Sequence, residues 1–155
     1  MALRNITNYK TDDILRKKSK YVDKINKKTL QLINDMAETM YKENGVGLAA
    51  PQVGILKRII VIDIGDGLIK LINPEIVEED GEEKDTEGCL SIPGVIAEVK
   101  RPYRVKVKGL NENGENIEIE GLGLLARAFC HEIDHLNGIL FIDKAVSGTI
   151  KNTNI

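Results

Sequence analysis

Residues 124–138 read LLARAFCHEIDHLNG. Leu124, Leu125, Ala128 and Phe129 recur at helical spacing and run directly into His131-Glu132-Ile133-Asp134-His135. Asn137-Gly138 supplies a stop signal, so the stretch is a helix with one apolar face. Residues four apart share a helix face, so the imidazoles of His131 and His135 reach a common point in space. That pairing is a metal-ligating pattern. Glu132, beside the first ligand, is placed to exchange protons with a water there. Helix histidines are often no more than satisfied surface groups. Here the motif consumes both histidines of the chain, and the metal reading is the stronger.

Upstream of this helix the period changes from 3.6 to 2. Val105 and Val107 alternate with lysines, and Ile117 and Ile119 alternate with Glu118 and Glu120. Asn113-Gly114 between the two runs is a hairpin signal. Ile59-Ile60-Val61-Ile62 is a β-branched run, and Leu68 to Ile72 is another apolar run, with Gly65-Asp66-Gly67 as the turn between them. Further back, Asn26 reads as the cap of a helix whose apolar stripe is Ile33, Met36, Ala37 and Met40, closed by Asn44-Gly45. Thr11, followed by Asp12 and Asp13, reads as the cap of a short first helix. Helices, then antiparallel strands, then one helix make an α+β fold, not alternating βαβ units.

A chain of 155 residues is of single-domain size, so residues 1–155 form one domain with a real core. A net charge of −2 gives no bulk attraction to nucleic acid, and DNA is excluded as a partner. Locally, residues 16–28 are strongly basic and residues 75–87 strongly acidic. Both read first as solvated faces. The basic run has a second reading, transient docking on an RNA surface such as the ribosome. No signal-peptide core occurs at the N-terminus, and no run approaches the ~18 apolar residues of a membrane span. The expected location is cytoplasmic. In a reducing compartment the two cysteines, Cys89 and Cys130, serve as a ligand or as buried thiols.

A catalytic metal site needs a third protein ligand and one open position. No histidine follows His135, and the only later acid is Asp143. Cys89, in Glu87-Gly88-Cys89-Leu90-Ser91, is the better candidate. Gly88 lets the backbone approach closely, and thiolate suits a borderline divalent ion. On these residues alone a small buried hydrophobe is an equally good reading of Cys89. Cys130 lies about 100° around the helix from His131 and reads as a buried thiol. A third segment, Gly45-Val46-Gly47-Leu48-Ala49-Ala50-Pro51-Gln52-Val53-Gly54, offers small residues and one amide donor, Gln52. It also reads as a tight helix-to-strand connection, and it lacks the ending of a phosphate loop.

In this order and at these separations, GVGLAAPQVG, EGCLS and HEIDHLNG resemble the three signature motifs of the peptide deformylases. The resemblance spans residues 45–138. It implies antiparallel sheets packed around a C-terminal metal-binding helix, and removal of the formyl group from N-formylmethionyl nascent peptides, with release of formate. By motif position, Cys89, His131 and His135 would hold one divalent metal ion, with water in the fourth place. Ferrous iron is the native ion that the family implies, and zinc, nickel or cobalt are able to replace it. Glu132 would move the proton, while the Gln52 amide and the Leu90 backbone N–H would bind the oxyanion. Val46, Gly47, Glu87 and Gly88 fall along the family's substrate groove. Leu124, Arg127 and Ala128 fall at the methionine pocket.

The chain departs from the family pattern at three places. Cys130 stands where many members carry glutamine, and a thiol there implies sensitivity to oxidation. Ile96 stands where some members carry a substrate-contacting arginine. The tail after Asp143 is short, without the long ribosome-binding helix of some members. Two other readings remain. A zincin-type metalloendopeptidase shares HExxH but takes its third ligand downstream. A closed structural metal module needs a fourth protein ligand, and Cys130 is badly placed to be one.

Overall fold

The computed structural model describes residues 2–153. Helix α1 spans Lys27–Lys42, and its first turn is capped by the Asn26 side chain, which accepts the Thr29 N–H at 3.0 Å. Its buried stripe is Leu32, Ile33, Met36 and Met40. Asn44 ends it in a left-handed conformation (φ 58°), with Asn44 N–H on Tyr41 O and Gly45 N–H on Met40 O. This paired pattern satisfies the last carbonyls, with asparagine rather than glycine in the strained position.

Five strands form the main sheet: β1 (Gly47–Ala49), β2 (Ile59–Ile62), β3 (Ile69–Asp80), β6 (Arg104–Leu110) and β7 (Asn116–Leu122), in that spatial order and antiparallel throughout. The turns expected at residues 65–67 and at Asn113-Gly114 join β2 to β3 and β6 to β7. All four residues of β2 are buried because a helix covers each face. Ile59 and Val61 join the α1 cluster, while Ile60 and Ile62 join the cluster around helix α2 (Leu124–Leu136). Each such isoleucine contributes roughly 1.5–3 kcal/mol by burial. In the β6–β7 ladder Val105 and Val107 point inward. Lys106 pairs with Glu120 and Lys108 with Glu118 on the outer face.

A second sheet, β4 (Glu83–Cys89), β5 (Ile92–Arg101) and β8 (Lys151–Asn152), closes one side of the molecule. Ile92, Ala97 and Val99 pack there against Leu15, Leu140 and Phe141. This sheet departs from the sequence reading at one point. The acidic run 75–87 runs through β3 and β4 and the turn between them. Most of its acids are exposed, but Glu87 is buried. Near the end of the chain Lys151 and Asn152 pair with Ile96 and Val95. A second correction falls at the N-terminus. The first helix is a single 3₁₀ turn, Asp13–Arg16, preceded by Asp12, with Thr11 outside it. Asp12 instead accepts the Asn8 N–H at 2.7 Å, so its carboxylate folds the chain back locally.

Candidate metal centre

α2 begins at Gly123, whose φ of 58° favours glycine, and ends with Gly138 at φ 74°. Gly138 has a second constraint: a Cβ there would lie 2.6 Å from the Arg16 carbonyl oxygen. Between these ends the helix sets Arg127, His131, Glu132 and His135 into the interior. β4 and β5 supply the facing wall. Cys89 is the last residue of β4 and pairs with Ile92, so Leu90 and Ser91 form a two-residue turn. The ladder is irregular between Glu87 and Cys89. Such a bulge at Gly88 re-aims the following side chain.

The Cys89 Sγ and one nitrogen of each imidazole lie within 4.8 Å of one another, and Sγ is 3.3 Å from His135 Nε2. His131 donates from Nδ1 to Glu87 Oε1 at 2.9 Å, which turns its Nε2 toward the other two ligand atoms. Phe141 stacks on the same ring, 6.1 Å between centroids. Glu87 in turn accepts from Arg101 Nε at 2.8 Å and Nη2 at 2.9 Å, and from Arg127 Nη1 at 2.7 Å. Burial alone would raise the Glu87 carboxyl. Hydrogen bonds from Arg101 and His131 outweigh it and hold the group well below the usual carboxylate range.

These surroundings fit a cation. Burial disfavours a charged imidazole, yet Glu132, Cys89 and Glu87 together draw a proton onto His131. One thiolate with two imidazoles is a donor set for a borderline divalent ion. Glu132 Oε1 is buried without a hydrogen-bond partner, as suits a group that acts on a water or a substrate. Its carboxylate is accommodated by Gly47: a Cβ there would lie 2.5 Å from Oε2. Gln52 sits in a 3₁₀ turn, Ala50–Val53. Its Oε1 accepts the Ala49 N–H at 3.0 Å, and its Nε2 lies 3.4 Å from Cys89 Sγ.

A cavity of 410 Å³ opens beside these groups. Cys89, His131, Glu132 and Gln52 line it, as do Leu90, Val46, Gly47 and Gly88. Leu124 and Ala128 form part of its apolar wall, and Val46 and Leu124 are half exposed at its rim. His135 lies behind Cys89, almost fully buried. Glu87 and Arg127 also border the cavity, but their polar ends are already committed. Arg127 donates to Glu87, to Val99 O and to Glu83 O. Both residues brace His131 and the wall, and Arg127 Nε alone is left without a partner.

Sequence reasoning missed Arg101, Asp134 and Ser91. Arg101 bonds Glu87 and also Asp134 at 2.6 Å, and its side chain is 2% exposed. Its signal was present: Ala97, Val99 and Arg101 alternate on the buried face of β5. Cys130 is buried, as expected of a core thiol, and burial pushes the thiol up to about 11. Thiolate is the oxidisable form, so the expected oxidation sensitivity at Cys130 is not supported.

The sequence pattern of the polypeptide deformylase family matches residues 3–150. A peptide deformylase of Acetivibrio thermocellus is 67% identical over 135 residues, covering 87% of this chain and 79% of that protein. One from Alkaliphilus metalliredigens is 62% identical over 148 residues, covering 94% and 99%. The crystal structure of peptide deformylase from Thermotoga maritima superimposes with a TM-score of 0.90 at 48% identity, covering 93% of this chain and 98% of that one. Sequence and fold thus agree over nearly the whole length: the chain belongs to the polypeptide deformylase family.

Proposed function

We propose that this protein hydrolyses the formyl group from N-formylmethionyl peptides of newly made proteins, releasing formate and a free amine. The observation that carries the reading is the convergence of Cys89, His131 and His135 beside a buried Glu132 at an apolar cavity. These three residues would hold one divalent ion, natively ferrous iron, with zinc, nickel or cobalt able to replace it. Such an ion supplies Lewis acidity and makes water a nucleophile near neutral pH.

The protein's own groups do the rest. Burial pushes the Glu132 carboxyl up to about 7, so near neutrality it can both take a proton from water and return it to the leaving nitrogen. The Gln52 amide and the Leu90 N–H are the donors for the oxyanion formed at the formyl carbon. β1 and β4 each lie at an open edge of their sheet, and Val46, Gly47 and Gly88 bring those edges to the cavity. Two open edges suit an extended peptide, which adds backbone hydrogen bonds to a strand. Leu124 and Ala128 offer apolar surface to the methionine side chain. Glu87 and Arg127 orient His131 from behind.

Among the described residues no helix is long and apolar enough to cross a membrane. Lys17, Lys18, Lys20, Lys24, Lys27 and Lys28 are all exposed, in a chain whose net charge is −2. This face would dock transiently on ribosomal RNA, where the nascent substrate emerges, with salt-sensitive affinity. The test of the activity is anaerobic purification, metal analysis and formate release from formyl-Met-Ala. Metal-dependent release is the expected result. Cleavage of casein without formate release would favour an endopeptidase instead.

A further inference from the structure

Ser91 is fully buried beside the centre and has so far been given no role. Its hydroxyl oxygen lies 3.2 Å from Gln52 Nε2, where it accepts one of the two amide protons. The other end of the same carboxamide is tied by the Ala49 N–H at 3.0 Å. With its oxygen and one N–H engaged, the amide cannot rotate, and its second N–H donates weakly to Cys89 Sγ, 3.4 Å away, at the mouth of the cavity.

The two residues are also joined from behind. In the N-terminal segment, Thr7 N–H donates to Gln52 O at 2.8 Å, and Tyr9 N–H donates to Ser91 O at 3.0 Å. Thr7 and Tyr9, the latter at the start of a turn, thus tie both backbones to one short segment of chain. This segment holds the two backbones in register, and the side-chain bond then forms on the site face. A second tie anchors the segment: Arg4 Nε donates to the buried Asp35 of α1 at 2.9 Å.

We infer that Ser91 is a positioning residue: its hydroxyl, held in place by the Thr7–Tyr9 segment, locks the Gln52 carboxamide so that the N–H now directed at Cys89 Sγ can turn its bond to the oxyanion. This rests on the role proposed above for Gln52. An oxyanion donor is worth about 10²–10³ in kcat, and a donor left free to rotate forfeits part of that.

The test is a double-mutant cycle on formate release from formyl-Met-Ala, using wild type, Ser91→Ala, Gln52→Ala and the double variant, all loaded with the same metal. Ser91→Ala is expected to lower kcat about tenfold, with KM and metal content within about twofold of wild type. In the Gln52→Ala background the same substitution should cost less than about twofold, because its target is gone. Equal losses in both backgrounds, or a loss confined to KM or metal content, would overturn the inference. An unimpaired Gln52→Ala would overturn it together with the oxyanion assignment. If Ser91→Ala does not fold, Ser91→Cys, of similar size but a weaker acceptor, is run through the same cycle with the same outcomes deciding.

Discussion

On one face of β2, Ile59 and Val61 lie in an apolar cluster with Leu32, Ile33, Met36 and Met40 of α1; on the other, Ile60 and Ile62 lie with Phe129, Ile133 and Leu136 of α2. The first helix buries little except apolar surface on that side. The second also buries Arg127, Glu132 and His135. Burying charge is costly unless each group finds a partner; Arg127 finds Glu87, in a network that also holds Arg101 and Asp134. Glu132 Oε1 and His135 Nδ1 are left without one. The contrast separates a helix that stabilises from a helix that stabilises and reacts: α1 also leaves one buried carboxylate oxygen, Glu38 Oε2, without a partner, but only α2 leaves such groups at the candidate metal centre.

The sharpest way to break this division is Glu132→Gln. It should lower kcat at least about 10²–10⁴-fold while metal content and melting temperature hold, since only the proton carrier is lost. Retained turnover would remove Glu132 from the mechanism. Gly47→Ala should follow, because its methyl group meets the Glu132 carboxylate. Activity should fall steeply with little loss of fold, and a fully active alanine variant would show that the carboxylate has room to shift.

Arg101→Ala leaves Glu87 and Asp134 short of a buried partner. It should cost about 3–5 kcal/mol in denaturant unfolding and weaken metal retention as well, through His131. Met36→Ala, on the opposite side of β2, should cost about 2–5 kcal/mol yet leave kcat at its original value. A comparable fall in kcat for Met36→Ala would erase the distinction between the two helices.

Much of this arrangement was legible in the sequence because short-range chemistry dictates it. The caps at Asn26 and Asn44, the turns at residues 65–67 and 113–114, and the spacing of His131 and His135 are each set by residues within one turn of each other. The β4–β5 pair was not read. In β4 the face that carries Glu87 and Cys89 also carries Glu83 and Asp85, and in β5 the buried Ala97 and Val99 are followed on the same face by the charged Arg101. Periodicity fails where a buried face is built from charges. The third ligand stood level with a buried hydrophobe on local residues alone, because Cys89 meets His135 only across 46 residues of chain. The misread cap at Thr11 has the same origin as the hidden roles of Ser91 and Asp134: side chains that bond backbone or neighbours in ways that spacing does not reveal.

Metal content and formate release, determined side by side on Cys89→Ser and Cys130→Ser after anaerobic purification, test the three-ligand centre most directly. The serine at position 89 should lose most of the bound metal and nearly all activity, while the serine at position 130 keeps both. Equal loss in the two variants, or a full metal complement without the thiol of Cys89, would contradict the site described here.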